Sequence, residues 1–214
     1  MKKFELTAES KINIFGKKLF RIKALISFGD VKEGETGGWV EKEENLEQSS
    51  GNAWVYGDAE VSGNAEVYGN ARVSGNAWVY GDAEVSGNAE VSGNAEVYGN
   101  ARVYGDARVS GNAEVYGNAR VSGNAWVYGD ARVSGNAEVY GNADYTTIRG
   151  FGTQFRATTF FRCKDKQIRV SCGCFFGTIS EFREQVKNTR KGKIAEEYLM
   201  IADLMEKHFA EEAK

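Results

Sequence analysis

The sequence predicts an all-β solenoid that is followed by a small α+β domain. A six-residue phrase, Gly-Asn/Asp-Ala-x-Val-Tyr/Ser, occurs in fifteen intact, consecutive copies over residues 51–140. The chain has 26 glycines and no proline, which indicates a backbone with many regular bends. Residues 147–214 lack the phrase and instead show the patterns of a β-hairpin and two helices.

Each copy of the phrase predicts one short strand and one corner. Ala and Val lie two positions apart, so an extended chain directs both side chains to one face, whereas the x and Tyr/Ser positions face the other way. Gly followed by Asn or Asp favours a bend, because these residues tolerate left-handed backbone angles. One copy cannot bury its own apolar atoms, so the copies must stack around a shared core.

The phrase resembles the hexapeptide repeat of left-handed parallel β-helix proteins. This resemblance implies three copies, or about 18 residues, per coil. The Tyr/Ser position alternates almost strictly, which also fits a flattened coil of two copies. The corner residue is Asp in every fourth copy, at Asp58, Asp82, Asp106 and Asp130. Duplication of a unit of four copies explains both patterns, so we favour the triangular coil.

Three regions follow from these patterns. Residues 1–50 are predicted to form an N-terminal hairpin and a capping coil, because apolar residues alternate on both sides of Gly16. Residues 51–146 form the repeat rod, which ends where Tyr145 replaces the repeat valine. Residues 147–214 form a basic C-terminal ββαα domain.

The elements of the C-terminal domain can be placed from its pattern. Residues 158–163 and 168–172 flank a polar turn and predict a hairpin. Thr178 and Glu181 have the spacing of a capping box, so the first helix runs from there to about Asn188. A second helix begins at about Ile194 and carries an apolar stripe that packs on the hairpin.

Charge is distributed unevenly along the chain. The whole chain carries a net charge of −3, and residues 51–144 hold 5 basic and 12 acidic groups. Residues 149–193, in contrast, hold 11 basic and 3 acidic groups. A basic, aromatic-rich module on an acidic rod favours an anionic partner.

The basic module supplies the candidate ligand-binding residues. These are Arg149, Arg156, Thr158, Thr159, Phe160, Arg162, Lys164 and Arg169. Arginine binds phosphate oxygens through two parallel hydrogen bonds, and aromatic rings stack on bases. The expected partner is an anionic small molecule, such as a nucleotide, or an acidic host protein. A solvated basic surface without a specific ligand is the alternative interpretation.

Residues three copies apart become neighbours on one face of a triangular rod. Tyr80, Tyr98 and Tyr116 then form an aromatic ladder, which is either exposed or an oligomer interface of a homotrimer. On another face, oppositely charged residues stack along the rod in a column that Trp54 and Trp126 bound at its two ends.

Catalysis and metal binding receive little support. Many hexapeptide-repeat proteins are acyltransferases, which need a general base, usually His, beside an inserted loop. The repeats here have no inserted loop and the single histidine is His208, so we expect no catalytic residue and no cofactor. Cys163, Cys172 and Cys174 are expected to be reduced and to pack as small apolar residues rather than to bind zinc.

Over nearly its whole length the chain resembles uncharacterised phage and prophage proteins of Gram-positive bacteria. The segments that carry this resemblance are 21–25, 37–40, 159–162 and 172–178. It implies a binding protein that blocks or sequesters a host defence component, and a structural rod in a phage particle is the alternative. No signal peptide or membrane span is evident, so we expect a cytoplasmic protein without membrane or duplex nucleic acid partners.

Overall fold

The structure, a computed structural model, describes residues 2–210. It contains a β-solenoid of about six coils with about 18 residues per turn, joined to a C-terminal sheet and two helices. The fold class expected from the repeat is therefore confirmed.

The strands of the rod are short because a glycine corner follows every few extended residues. In chain order the strands are β1 (Phe4–Ile12), β2 (Lys18–Ala24), β3 (Thr36–Val40), β4 (Trp54–Val55), β5 (Glu60–Val61), β6 (Glu66–Val67), β7 (Arg72–Val73), β8 (Trp78–Gly81), β9 (Glu84–Val85), β10 (Glu90–Val91), β11 (Glu96–Gly99), β12 (Arg102–Val103), β13 (Arg108–Val109), β14 (Glu114–Val115), β15 (Arg120–Val121), β16 (Trp126–Val127), β17 (Arg132–Val133), β18 (Glu138–Val139), β19 (Tyr145–Ile148), β20 (Thr158–Arg162), β21 (Ile168–Cys172) and β22 (Phe175–Thr178). The helices are α1 (Ile179–Thr189) and α2 (Gly192–Phe209), with short 3₁₀ turns at Glu43–Asn45 and Asn142–Asp144.

Three parallel sheets form the three faces of the rod. The first face has the strand order β3-β5-β8-β11-β14-β17, the second β4-β7-β10-β13-β16 and the third β6-β9-β12-β15-β18. Val91 pairs with Val73 on one side and Val109 on the other, so each strand pairs with the strands three copies before and after it. This register confirms the three-copy coil and excludes the flattened one. The left-handed winding stays a prediction.

The interior of the rod is a continuous column of alanine and valine. In every intact copy these two side chains are buried, as their alternation predicts. The corner side chains are also linked from coil to coil: the Asn76 Nδ2 donates to Asn94 Oδ1 at 3.2 Å, Asn94 to Asn112 at 3.1 Å, and Asn112 to Asp130 at 2.9 Å. Asp130 ends this series because an ionised carboxylate has no hydrogen to donate.

The predicted N-terminal hairpin is present and covers the first coil. β1 and β2 pair antiparallel, and β2 pairs antiparallel with β3 at the start of the first face. Trp54 is fully buried because Phe4 and Phe28 lie against its ring, with centroid distances of 6.1 and 5.4 Å. The Lys3 Nζ donates to the Ala53 carbonyl oxygen at 3.1 Å, which satisfies a backbone group at the end of the rod.

The C-terminal module has a larger sheet than the hairpin that the sequence predicted. The hairpin is confirmed as β20 and β21, but β19 and β22 add one antiparallel strand at each edge. β19 forms because the last, imperfect repeat leaves the coil and pairs with β20. β22 forms because Gly173 turns the chain with φ +61° directly after β21. The predicted cap of α1 is present, since Thr178 Oγ1 accepts from the Glu181 N–H at 3.2 Å.

Strand β20 joins the module to the rod. Its alternation places Phe161 in the core of the rod and Phe160 in the core of the module, where Phe160 packs edge-to-face on Phe182. The Arg132 N–H of the last coil donates to Thr159 Oγ1 at 3.0 Å. Because both faces of β20 are buried, the module is fixed on the end of the rod.

Candidate functional site

Two open clefts adjoin each other where the last coils meet the C-terminal module. The aromatic cleft, about 410 Å³, is lined chiefly by Trp126, Tyr128, Asp130, Asn142, Tyr145 and Arg149. The basic cleft, about 570 Å³, is lined chiefly by Asp130, Arg132, Arg149, Arg156, Gly173 and Cys174. Asp130 and Arg149 line both clefts, so these two side chains form their shared boundary.

The aromatic cleft presents two rings on the second face of the rod. Trp126 and Tyr128 are 47% and 57% exposed, and their ring centroids lie 5.1 Å apart. The rings are uncovered because the chain leaves the coil at residues 142–144, where the next layer would lie. Burial raises the pKa of Tyr145 to about 12, so its hydroxyl stays protonated and donates to the Trp126 carbonyl oxygen.

The basic cleft brings together three arginines from different parts of the chain. Arg132 pairs with Glu114 on the neighbouring coil at 2.8 Å, and Arg149 pairs with Asp130. Arg156 forms no ion pair with any carboxylate among residues 2–210. A Cβ at Gly173 would lie 3.0 Å from the Arg156 Nη1, so glycine leaves room for this guanidinium.

Three of the candidate ligand-binding residues are buried in the junction. Thr158 Oγ1 donates to Cys172 Sγ at 3.1 Å. Thr159 Oγ1 accepts a hydrogen bond from the Arg132 N–H and lies 3.1 Å from Thr147 Oγ1. Phe160 is in the core of the module. These side chains hold the module in place and do not line either cleft.

The remaining basic candidates lie apart from the clefts. Arg162 lies 3.6 Å from Asp144 and donates to the Phe209 carbonyl oxygen, and Arg169 pairs with Asp165 at 2.7 Å. Lys164 is exposed in the turn after β20. Of the eight candidates, the structure brings Arg149 and Arg156 together in one cleft. Ligand binding by the full set stays a prediction.

Sequence reasoning missed Trp126, Tyr128, Arg132 and Gly173 as site residues. The first three stand in repeat copies that read like all the others. A usable signal was nevertheless present, because the repeat breaks at Tyr145. Side chains one coil before such a break lose their covering layer.

The predicted tyrosine ladder is present on the first face. Tyr80, Tyr98 and Tyr116 stack with centroid separations of 4.9 Å and interplanar angles of 3° and 2°. Phe15 of the N-terminal hairpin covers one end of the ladder, with its ring 4.9 Å from Tyr80. The rings are half-buried, and their role as an oligomer interface stays a prediction.

The cysteines and the histidine occupy separate surroundings. Cys163 is buried in the rod core, Cys172 is half-buried and Cys174 is exposed in the turn before β22. Cys174 does not share a strand face with Cys172, because it follows the end of β21. His208 is exposed near the end of α2 and lines neither cleft. Within residues 2–210, no three His, Cys, Asp or Glu side chains form a group that could hold a metal ion.

Comparison with protein families found a similarity within the rod. Residues 65–81, 95–111, 101–114 and 113–129 match the family model described as the YdcK Beta solenoid repeat. These stretches lie inside the rod, so the chain is similar to this repeat family over its central residues. A search of curated proteins found no match. In the described part of the chain, no helix has the length and apolar character needed to cross a membrane.

Proposed function

We propose that the protein is a non-enzymatic binding protein that captures an anionic small molecule in the basic cleft. The observation that carries this proposal is Arg156, a guanidinium in a cleft without a carboxylate partner among the described residues. An arginine in this state leaves its hydrogen-bond donors available to a ligand oxygen. Arg132 and Arg149 line the same cleft and pair with Glu114 and Asp130, so Arg156 supplies the surplus positive charge.

The arginines on the rod differ from Arg156 because they pair with carboxylates. Arg102 pairs with Glu84 at 2.9 Å and Arg108 with Glu90 at 3.6 Å, both on adjacent strands. Such pairs follow from the repeat register and neutralise each other along a face. The surplus positive charge at the junction supports binding of an anion there.

We also propose that the protein assembles as a homotrimer through the tyrosine ladder, which would bring several junctions into one particle. Capture of a nucleotide immune signal and blocking of a host defence protein are finer forms of the proposal, and they stay predictions. A structural rod in a phage particle stays the alternative, tested by its presence in purified virions. Acyl transfer lacks support, because neither cleft is lined by a histidine.

The test is a titration of the whole protein with inorganic phosphate, followed by ³¹P NMR at low ionic strength. We expect saturable binding at millimolar concentrations, weakened about tenfold or more in Arg156→Gln, because hydrogen bonds to charged groups contribute about 1.5–3 kcal/mol. Arg108→Gln, which removes an exposed rod arginine, is the matched control and should bind like the unaltered protein. Absence of binding, or equal loss in both variants, would contradict the proposal.

A further inference from the structure

Binding of an anion in the basic cleft gives no role to the two exposed rings of the aromatic cleft. Trp126 and Tyr128 lie beside the basic cleft, and Arg149 lines both clefts. The same phrase, Gly-Asn-Ala-Trp-Val-Tyr, occurs at residues 51–56, where its tryptophan is fully buried by the N-terminal cap. Trp126 lies at the other end of the rod, away from this cap, so its ring remains accessible to a ligand.

Two hydrogen bonds, one from the indole and one from the backbone, hold Trp126 in its exposed position. Its Nε1 donates to Ser110 Oγ at 3.1 Å, and its backbone N–H donates to Asn142 Oδ1 at 2.8 Å. The Tyr128 ring lies beside it at an interplanar angle of 46°. A ring that is fixed before binding loses less conformational freedom when a ligand stacks on it.

Arg149 lies at the boundary of the two clefts because Asp130 holds it there. The Asp130 carboxylate accepts from Asn112 Nδ2 at 2.9 Å and pairs with Arg149. The guanidinium is therefore placed where an anion in the basic cleft and a ring in the aromatic cleft would both be near it. The cleft polar groups, such as the Asn142 amide, are suited to the edge or hydroxyl groups of a ring.

We propose that the aromatic cleft is a stacking subsite for the ring of the same ligand whose phosphate lies in the basic cleft. The ligand is then a phosphate ester carried on a ring with a flat face, either a nucleoside phosphate or a hexose phosphate. This inference rests on the proposed function and adds to it the chemical class of the ligand. Stacking of a base on an aromatic side chain strengthens binding by about tenfold.

The experiment compares inorganic phosphate with nucleoside monophosphates and hexose phosphates on the whole protein, read by calorimetry and by quenching of tryptophan fluorescence. We expect a ring-bearing phosphate to bind about tenfold or more tightly than inorganic phosphate. Trp126→Ala should abolish this gain, so that in this variant the ring-bearing and inorganic phosphates bind with equal affinity. Tyr140→Ala removes a 52% exposed ring from another face and is the matched control, expected to keep the gain.

The outcomes separate this inference from the proposed function. A gain with nucleoside phosphates alone, or with hexose phosphates alone, supports the stacking subsite and identifies the source of the ring. Equal affinities for ring-bearing and inorganic phosphate overturn the stacking subsite while phosphate binding still supports the basic cleft. A gain that survives in Trp126→Ala also overturns it. If inorganic phosphate itself does not bind, the proposed function fails and the inference fails with it.

Discussion

Replacing Gly111 with alanine tests whether the spacing between coils is set by the glycine corners. Gly111 has φ +72°, and an added Cβ would lie 2.9 Å from the Gly129 nitrogen and 3.0 Å from its oxygen, one coil away. Gly129 itself has φ +70°, but an added Cβ there meets no atom within 4 Å. The two positions therefore share the backbone conformation and differ in what covers them.

The expected losses follow from that difference. A non-glycine residue in the left-handed region costs about 1–2 kcal/mol, and the restricted unfolded chain returns about 0.4–1 kcal/mol. Gly129→Ala should therefore reduce the free energy of unfolding by about 0–1.6 kcal/mol. Gly111→Ala must in addition push two coils apart and lengthen the 2.7 Å hydrogen bond from Asn112 N–H to Gly129 oxygen. Overpacking of this kind adds about 1–3 kcal/mol.

Urea unfolding of the two variants and the unaltered protein, followed by circular dichroism, measures these losses. Amide hydrogen exchange at Asn112 provides a local reading, since its protecting hydrogen bond is the one that must lengthen. Equal losses in the two variants would refute the argument, because backbone conformation alone would then account for both.

Two further predictions concern the core and the assembly. Burial raises the pKa of the Cys163 thiol to about 11, above the ordinary value of 9, so its stabilising contribution is complete below pH 9 and is lost as the pH rises through 11. Between about pH 8 and about pH 10, the free energy of unfolding should therefore fall by about 1 kcal/mol more in the unaltered protein than in Cys163→Ala. Urea titrations measure this fall, and an identical pH dependence in the two proteins would contradict the role of the buried thiol. For the proposed trimer, light scattering should report three chains per particle for the unaltered protein and dissociation for Tyr98→Ser. Serine is a conservative choice, because it already occupies this column at Ser62 and Ser134. Tyr140→Ser is the control. If the unaltered protein is a monomer, the trimer proposal is wrong.

The rod could be predicted because one local rule repeats along it. A two-residue alternation fixes which side chains face inward, and a glycine corner closes each copy, so the fold needs no distant information. The hairpin, the capped helix α1 and the helix α2 were likewise predictable from local patterns. β19 was not, because its pairing with β20 depends on how the chain leaves the last coil. β22 was also missed, although the Gly173 turn that joins it to β21 is local.

The candidate site was predicted only in part. The excess of basic residues pointed to Arg149 and Arg156, which the structure places in one cleft. It pointed equally to Arg162 and Arg169, whose side chains are instead occupied by Asp144 and Asp165. The number of basic residues in a segment can be counted from the sequence. Which of them pair with a carboxylate depends on how separate elements pack together.

The sequence by itself determined the repeat and its alanine-valine core, and it favoured the three-copy coil that the strand pairing then confirmed. Only the tertiary structure decided which outward-facing repeat side chains are buried and which are exposed. The nonapeptide Gly-Asn-Ala-Trp-Val-Tyr-Gly-Asp-Ala occurs three times, yet Trp54 is buried, Trp78 is half-buried and Trp126 is exposed. The N-terminal cap covers the first, the hairpin tip lies against the second, and the departing chain leaves the third uncovered. Identical segments differ in exposure because exposure depends on what packs against them.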